Sequence, residues 1–122
     1  MAKDDYHVIA YQILSYLYNQ LKKGEPIDPG KLAPDGPLFR INETYWLYIM
    51  LNLYNDGYIE GIVAKKVRSI SGTETTYIDE LHRCQITPRG IDYLTDNSFM
   101  KKAKELLDTA AGIVPFAGLF NV

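Results

Sequence analysis

The residues Cys84-Gln85-Ile86-Thr87-Pro88-Arg89-Gly90-Ile91-Asp92-Tyr93-Leu94 change character at their centre. The first three continue a run from Leu81 that reads as a strand. Thr87 is then an N-cap, and Pro88 stands at the first helical position, where an N–H would lack a partner anyway. Ile91 and Leu94 follow three apart, so the new helix has an apolar face. Ile86 and Leu94 are expected to plug a core, with Gly90 allowing close packing between them.

Working back from this junction, Tyr58-Ile59-Glu60-Gly61-Ile62-Val63-Ala64 is short and β-branched and runs on into Lys65-Lys66-Val67-Arg68. Alternation puts Val63, Lys65, Val67 and Ser69 on one face and Ile62, Ala64, Lys66 and Arg68 on the other, so the strand is at best half buried. Ser71-Gly72-Thr73 is a turn signal, and Thr75 to Ile78 can return as a second strand. Before the hairpin, Asn42 caps a long helix with Glu43 in its first turn. Trp46, Ile49, Met50 and Leu53 form its apolar stripe, Leu47 and Leu51 widen it, and Asn55-Asp56-Gly57 ends it. Residues 25–40 are dense in proline and glycine, which leaves room only for a short helix from Asp28 to Ala33, with Asp28 as cap. A first helix is expected from Asp4 to Lys23, with Ala10, Ile13, Leu14, Leu17 and Leu21 in one stripe and Gly24 as its stop. After the junction, Asp96-Asn97-Ser98 interrupts the helix; Ser98 is read as the cap of a last helix whose core candidates are Phe99, Leu106, Leu107 and Ile113.

Three helices, a hairpin and further helices make an α+β chain, mainly α, in the order of a winged helix-turn-helix with an additional C-terminal helix. The expected division is a winged-helix domain at 1–97, then a helix and apolar tail at 98–122 packing on it or on a second subunit. The stretch Tyr45 to Ile59 and the Ile86 to Leu94 run resemble the third helix and the post-wing segment of winged-helix proteins. With Tyr6-His7-Val8-Ile9-Ala10-Tyr11-Gln12-Ile13-Leu14 and Ser98-Phe99-Met100-Lys101-Lys102-Ala103-Lys104, nearly the whole chain resembles the YjcQ-like family of small winged-helix proteins of Gram-positive bacteria and their prophages. These are packing motifs; the resemblance implies fold and lineage and carries over no catalytic residue.

Composition narrows the function. The 122 residues carry a net charge of −2, with 47% hydrophobic and 23% charged residues. Those values suit one folded domain and exclude a globally basic, histone-like binder. The acidic start and the lack of a long apolar run point to a cytoplasmic protein without a membrane span, and a single cysteine, Cys84, fits a reducing compartment. His7, His82 and Cys84 are too few for a zinc site, and no phosphate loop or nucleophile elbow occurs. The chain is therefore read as a non-enzyme with no catalytic residue, metal or cofactor. Ten tyrosines are an unusually large share and hint at a contact surface.

Two binding functions are expected. The first is a prophage-type DNA-binding or transcription-accessory protein. It would use Lys65, Lys66 and Arg68 on the wing, with Arg83 and Arg89 nearby in sequence, and Tyr45, Tyr48 and Asn52 on the third helix. Its binding would be weak and salt-dependent. The second is a protein–protein interaction module using the third-helix face, Tyr45, Tyr48, Asn52 and Asn55, without DNA. Charge favours the second, since residues 25–60 hold six acids against two bases and the third helix has no Lys or Arg; the habits of the winged-helix fold favour the first, by analogy alone. The apolar segment from Ala110 onward is expected to fold back across the first helix or to join two copies.

Overall fold

The computed structural model describes residues 2–110. Helix α1 (Tyr6–Lys23) is the shared partner of the fold, packed against helices on several sides and against the strand that precedes the fourth helix. Its predicted stripe is buried at Ala10, Ile13, Leu14 and Leu17, but Leu21, in the last turn, is 47% exposed. The helix starts two residues later than expected. Asp5 is its cap residue without capping it, because its carboxylate accepts from the Ala2 N–H at 2.8 Å. Gly24 closes the other end at φ 68°, and the Glu25 N–H donates back to the Gln20 carbonyl at 3.0 Å.

The proline-rich crossing that follows has no ladder to satisfy its backbone, so side chains do the work. Gln20 Nε2 donates to the Pro26 carbonyl at 2.8 Å, the Asp28 N–H donates to the Tyr16 hydroxyl at 2.7 Å, and Gln12 Nε2 donates to the Leu38 carbonyl at 2.6 Å. Gln12, Tyr16 and Gln20 of α1 are thus the fasteners of this loop. Within it lies α2 (Pro29–Leu32), capped by Asp28 as predicted. The Leu32 carbonyl accepts from the Trp46 indole at 2.7 Å, which joins the loop to α3 (Glu43–Asn55). Asn42 caps α3 through the Tyr45 N–H at 2.8 Å, and Trp46, Ile49, Met50 and Leu53 are buried.

Four strands follow, as two separate antiparallel pairs. β1 (Ile59–Glu60) pairs with β4 (Gln85–Ile86), Ile59 opposite Ile86, both in the core. β2 (Val63–Arg68) pairs with β3 (Glu74–Glu80). Gly61, at φ +86° and tight against the Arg83 carbonyl, breaks the first ladder from the second. The strand expected over Leu81 to Ile86 contracts to its last two residues, because the Cys84 N–H turns back to the Leu81 carbonyl at 3.0 Å. The exposure of β2 goes to the limit of what its alternation allowed. All six of its residues are exposed, since the hairpin projects beyond the last buried residue, Ile62.

Thr87 opens α4 (Pro88–Asp96) as predicted: its Oγ1 accepts from the Gly90 N–H at 3.0 Å and donates to the Gly57 carbonyl at 2.5 Å. Gly90 is buried against the Tyr58 carbonyl and Ile86, with no room for a Cβ. Ser98 is not the cap of α5 (Ser98–Ala110); Asn97 is, its Oδ1 accepting from the N–H groups of Phe99 at 2.8 Å and Met100 at 3.3 Å. Ser98 is instead the first helical residue. The inward face of α5 is Met100, Ala103 and Leu107, and Ala103 and Leu107 close over Val8 of α1. Phe99, expected in the core, is 47% exposed, and Ile113 lies outside the described residues. The chain is α+β and mainly helical, in the element order of a winged helix.

Candidate interaction surfaces

The hairpin does not gather its bases into one cluster. Lys65 stands opposite Tyr77, Lys66 opposite Thr76 and Arg68 opposite Glu74. Side chains alternate along a strand, so Lys65 shares its face with Val63, Val67 and Tyr77, while Lys66 and Arg68 share the other with Thr76 and Ile78. Lys65 is engaged besides. Its Nζ lies 3.0 Å from Asp79 Oδ2, and that hydrogen bond, then the charge of Asp79, holds the ammonium above its ordinary pKa. At the tip, Ser69, Ser71 and Thr73 hydrogen-bond one another, which takes up hydroxyls that could have met phosphate. Ile70 projects there fully exposed.

The exposed face of α3 is also narrower than the sequence implies. Tyr45 is half-buried and donates its hydroxyl to the Asp4 carbonyl at 2.7 Å, pinning the N-terminal arm. Burial, with Asp4 and Asp5 nearby, raises its pKa. Asn52 donates to the Tyr48 carbonyl of its own helix at 2.7 Å. Asn55 stays exposed, and Tyr48 is 60% exposed.

Tyr48 is not isolated. Its ring meets Tyr6 edge-on at 6.1 Å, Tyr6 meets His7 at 5.3 Å, and His7 stacks on Phe99 at 4.4 Å and 16°. Close by, Tyr58 and Tyr93 stack at 4.2 Å and 7°, with the Arg89 guanidinium 5.6 Å over the Tyr58 ring. Tyr6 lies within electrostatic reach of both groups. Burial pushes its pKa up to about 12, and Tyr93, Asp56, Tyr48 and Tyr58 add to the shift. Six aromatic side chains from the starts of α1 and α5, from α3, from α4 and from the residue before β1 thus form one seam, with Arg89 at one end and Lys102, 5.8 Å from the Phe99 ring, at the other. Arg89, grouped with the wing by sequence proximity, belongs to this seam instead.

Of the seam, sequence reasoning named Tyr48 and missed Tyr6, His7, Tyr58, Tyr93 and Phe99 as contact residues. The tyrosine excess was the available signal; it announced a surface without locating it. His82 and Cys84, two apart in sequence, differ in exposure. His82 is exposed, whereas Cys84 is buried and its thiol is pushed up to about 12 by that burial. Among the described residues no group of three His, Cys, Asp or Glu side chains is placed to hold a metal ion. Among them, too, no helix is long and apolar enough to cross a membrane.

The family described as YjcQ protein matches this chain over residues 11–110, and the chain belongs to that family. Comparison with curated proteins and with solved structures returned no match.

Proposed function

For this member of the YjcQ family we propose a non-enzymatic winged-helix protein that binds another protein through the aromatic seam centred on Tyr48. The observation that carries this is Tyr48 itself: 60% exposed, flanked by Tyr6, on a helix with no basic residue. Tyrosine offers contact area at small entropic cost, and Tyr and Arg are enriched where binding energy concentrates. A phosphate backbone, by contrast, is repelled by the acids that bracket α3, Glu43 and Asp56. The partner that fits presents apolar side chains to the rings and basic ones to the acidic ends of α3.

A second reading keeps DNA, in a regulatory or transcription-accessory role, and one observation favours it. Lys66 and Arg68 lie exposed on the same hairpin face, and neither has an ion pair among the described residues. Two phosphate contacts give a salt slope near −2, which means weak binding without sequence reading.

A photo-crosslinking residue placed at position 48, and in a second protein at position 70, separates the two. Adducts to one protein partner from position 48, lost when Phe99→Ala is added, support the seam. Adducts to nucleic acid from position 70, with none to protein from position 48, overturn it in favour of the hairpin.

A further inference from the structure

The β2–β3 hairpin is a sheet of two strands, so each strand has one side paired and one side open. In an antiparallel pair alternate residues turn their N–H and C=O groups outward. On the open side of β2 those groups meet no backbone partner among the described residues. All six residues of β2 are exposed, whereas Thr76 and Ile78 of β3 are half-buried, so β2 is the more open of the two edges. The register shift beside Val63 and Ala64 adds a residue to β3, Asp79, and none to β2, whose edge stays regular. The charge of that edge has one sign: Lys65, Lys66 and Arg68, with no acid. Such charge guards an edge against neutral strands and against its own kind, but it attracts a strand of opposite sign. The strand that β2 already holds is of that sort, since β3 carries Glu74, Asp79 and Glu80 and no base.

We propose that the open edge of β2 takes up an extended segment of a partner protein as a third strand, and that this segment alternates acidic with apolar side chains. Addition of a strand satisfies the outward backbone groups, and the side chains on each face set which segment fits. On one face of β2 stand Lys66 and Arg68, neither in an ion pair among the described residues, and the acids of the segment lie beside them. On the other stand Val63 and Val67, 38% and 49% exposed, and its apolar residues lie there. Neighbouring strands run about 4.8 Å apart, close enough for both kinds of pair. A second copy of this chain fits less well. Setting β2 against β2 puts bases beside bases, and setting β2 against the β3 of a copy is a head-to-tail contact that leaves the next edge open. Duplex DNA also fits less well, because two unengaged cations are few for a phosphate backbone and the exposed valines gain nothing from it. This edge shares no residue with the aromatic seam, so the inference stands apart from the function proposed for that surface.

Hydrogen exchange on the full chain tests it, with an acetylated peptide alternating valine and glutamate as the probe and its valine–lysine counterpart as the control. In excess acidic peptide, alternate amides within residues 63–68 are expected to exchange about tenfold more slowly, with no change around Tyr48. The basic peptide is expected to slow none of them. Lys66→Glu/Arg68→Glu, at exposed positions that leave the core intact, is expected to reverse this preference between the two peptides. N-methylation of alternate residues of the acidic peptide, on the side that forms the ladder, is expected to abolish the slowing. No slowing by the acidic peptide overturns the proposal, and so does equal slowing by both peptides. Greater slowing by random duplex DNA than by the acidic peptide overturns it in favour of nucleic acid. Slowing at residues 63–68 that grows with protein concentration in the absence of peptide overturns it in favour of a second copy.

Discussion

Ile62 and Val63 are neighbours, yet Ile62 is 7% exposed and Val63 38%. That step divides the β region in two. On one side is a collar, β1 against β4, where Ile59 and Ile86 enter the core, Thr87 clasps Gly57 and Gly90 meets the Tyr58 backbone. On the other is a flap, β2 against β3, held by its own ladder and carrying four of the exposed large hydrophobic residues: Val63, Val67, Ile70 and Tyr77. An isolated two-stranded hairpin is marginal in water, so the flap depends on the collar and not the reverse. Substitutions in the collar should therefore be read in stability, and those in the flap in binding.

The sharpest way to break this division is Gly90→Ala. A Cβ there would collide with the Tyr58 carbonyl and come within 2.7 Å of Ile86 Cγ1, so the collar must open. We expect a loss of about 4 kcal/mol in urea denaturation, at the upper end for a single substitution; an unchanged midpoint would mean that the collar does not close the core. Ile59→Ala should follow, at about 3 kcal/mol from lost burial and the cavity left behind.

Alkaline titration comes next. Burial raises Cys84 from 9.0 to about 12 and Tyr6 from 10.0 to about 12. The folded state then holds protons that the unfolded chain has released, so this contribution is complete below about pH 9 and is lost as pH climbs toward 12. The denaturation midpoint should fall over that window, and Cys84→Ala should flatten the part nearest pH 9. Smallest in stability is the flap. Val67→Ala should stay within about 0.5 kcal/mol of wild type, and a greater loss would show that the exposed face of the hairpin is covered in solution. Lys66→Ala/Arg68→Ala should leave the melting temperature unchanged, and any affinity for random duplex DNA should lose a salt slope of about 2.

Much of the fold was legible because its signals are local. Asn42, Asp28 and Thr87 cap the helices that their positions announced, Gly24 takes the left-handed turn after α1, and Gly90 packs where the junction needed it. The failures are local too, but in a different way. Asn97 and Ser98 are both good caps, and one residue of register decides between them. Leu21 continues the apolar stripe yet is left 47% exposed. The site was less legible. Alternation alone already set Lys65 apart from Lys66 and Arg68, and grouping them by proximity in sequence overrode it.

From its residues alone this chain declares its helices, their caps, the hairpin and the absence of positive charge on α3, because torsional preference, capping and charge act within a few residues. Where the contact surface lies is another matter. Tyr6, Tyr48, Tyr58 and Tyr93 are up to 87 positions apart, and what makes them neighbours is how α1, α3 and α4 pack. Burial of β2 likewise depended on whether anything stood beneath it, a matter of how far the core extends and not of the strand's own alternation.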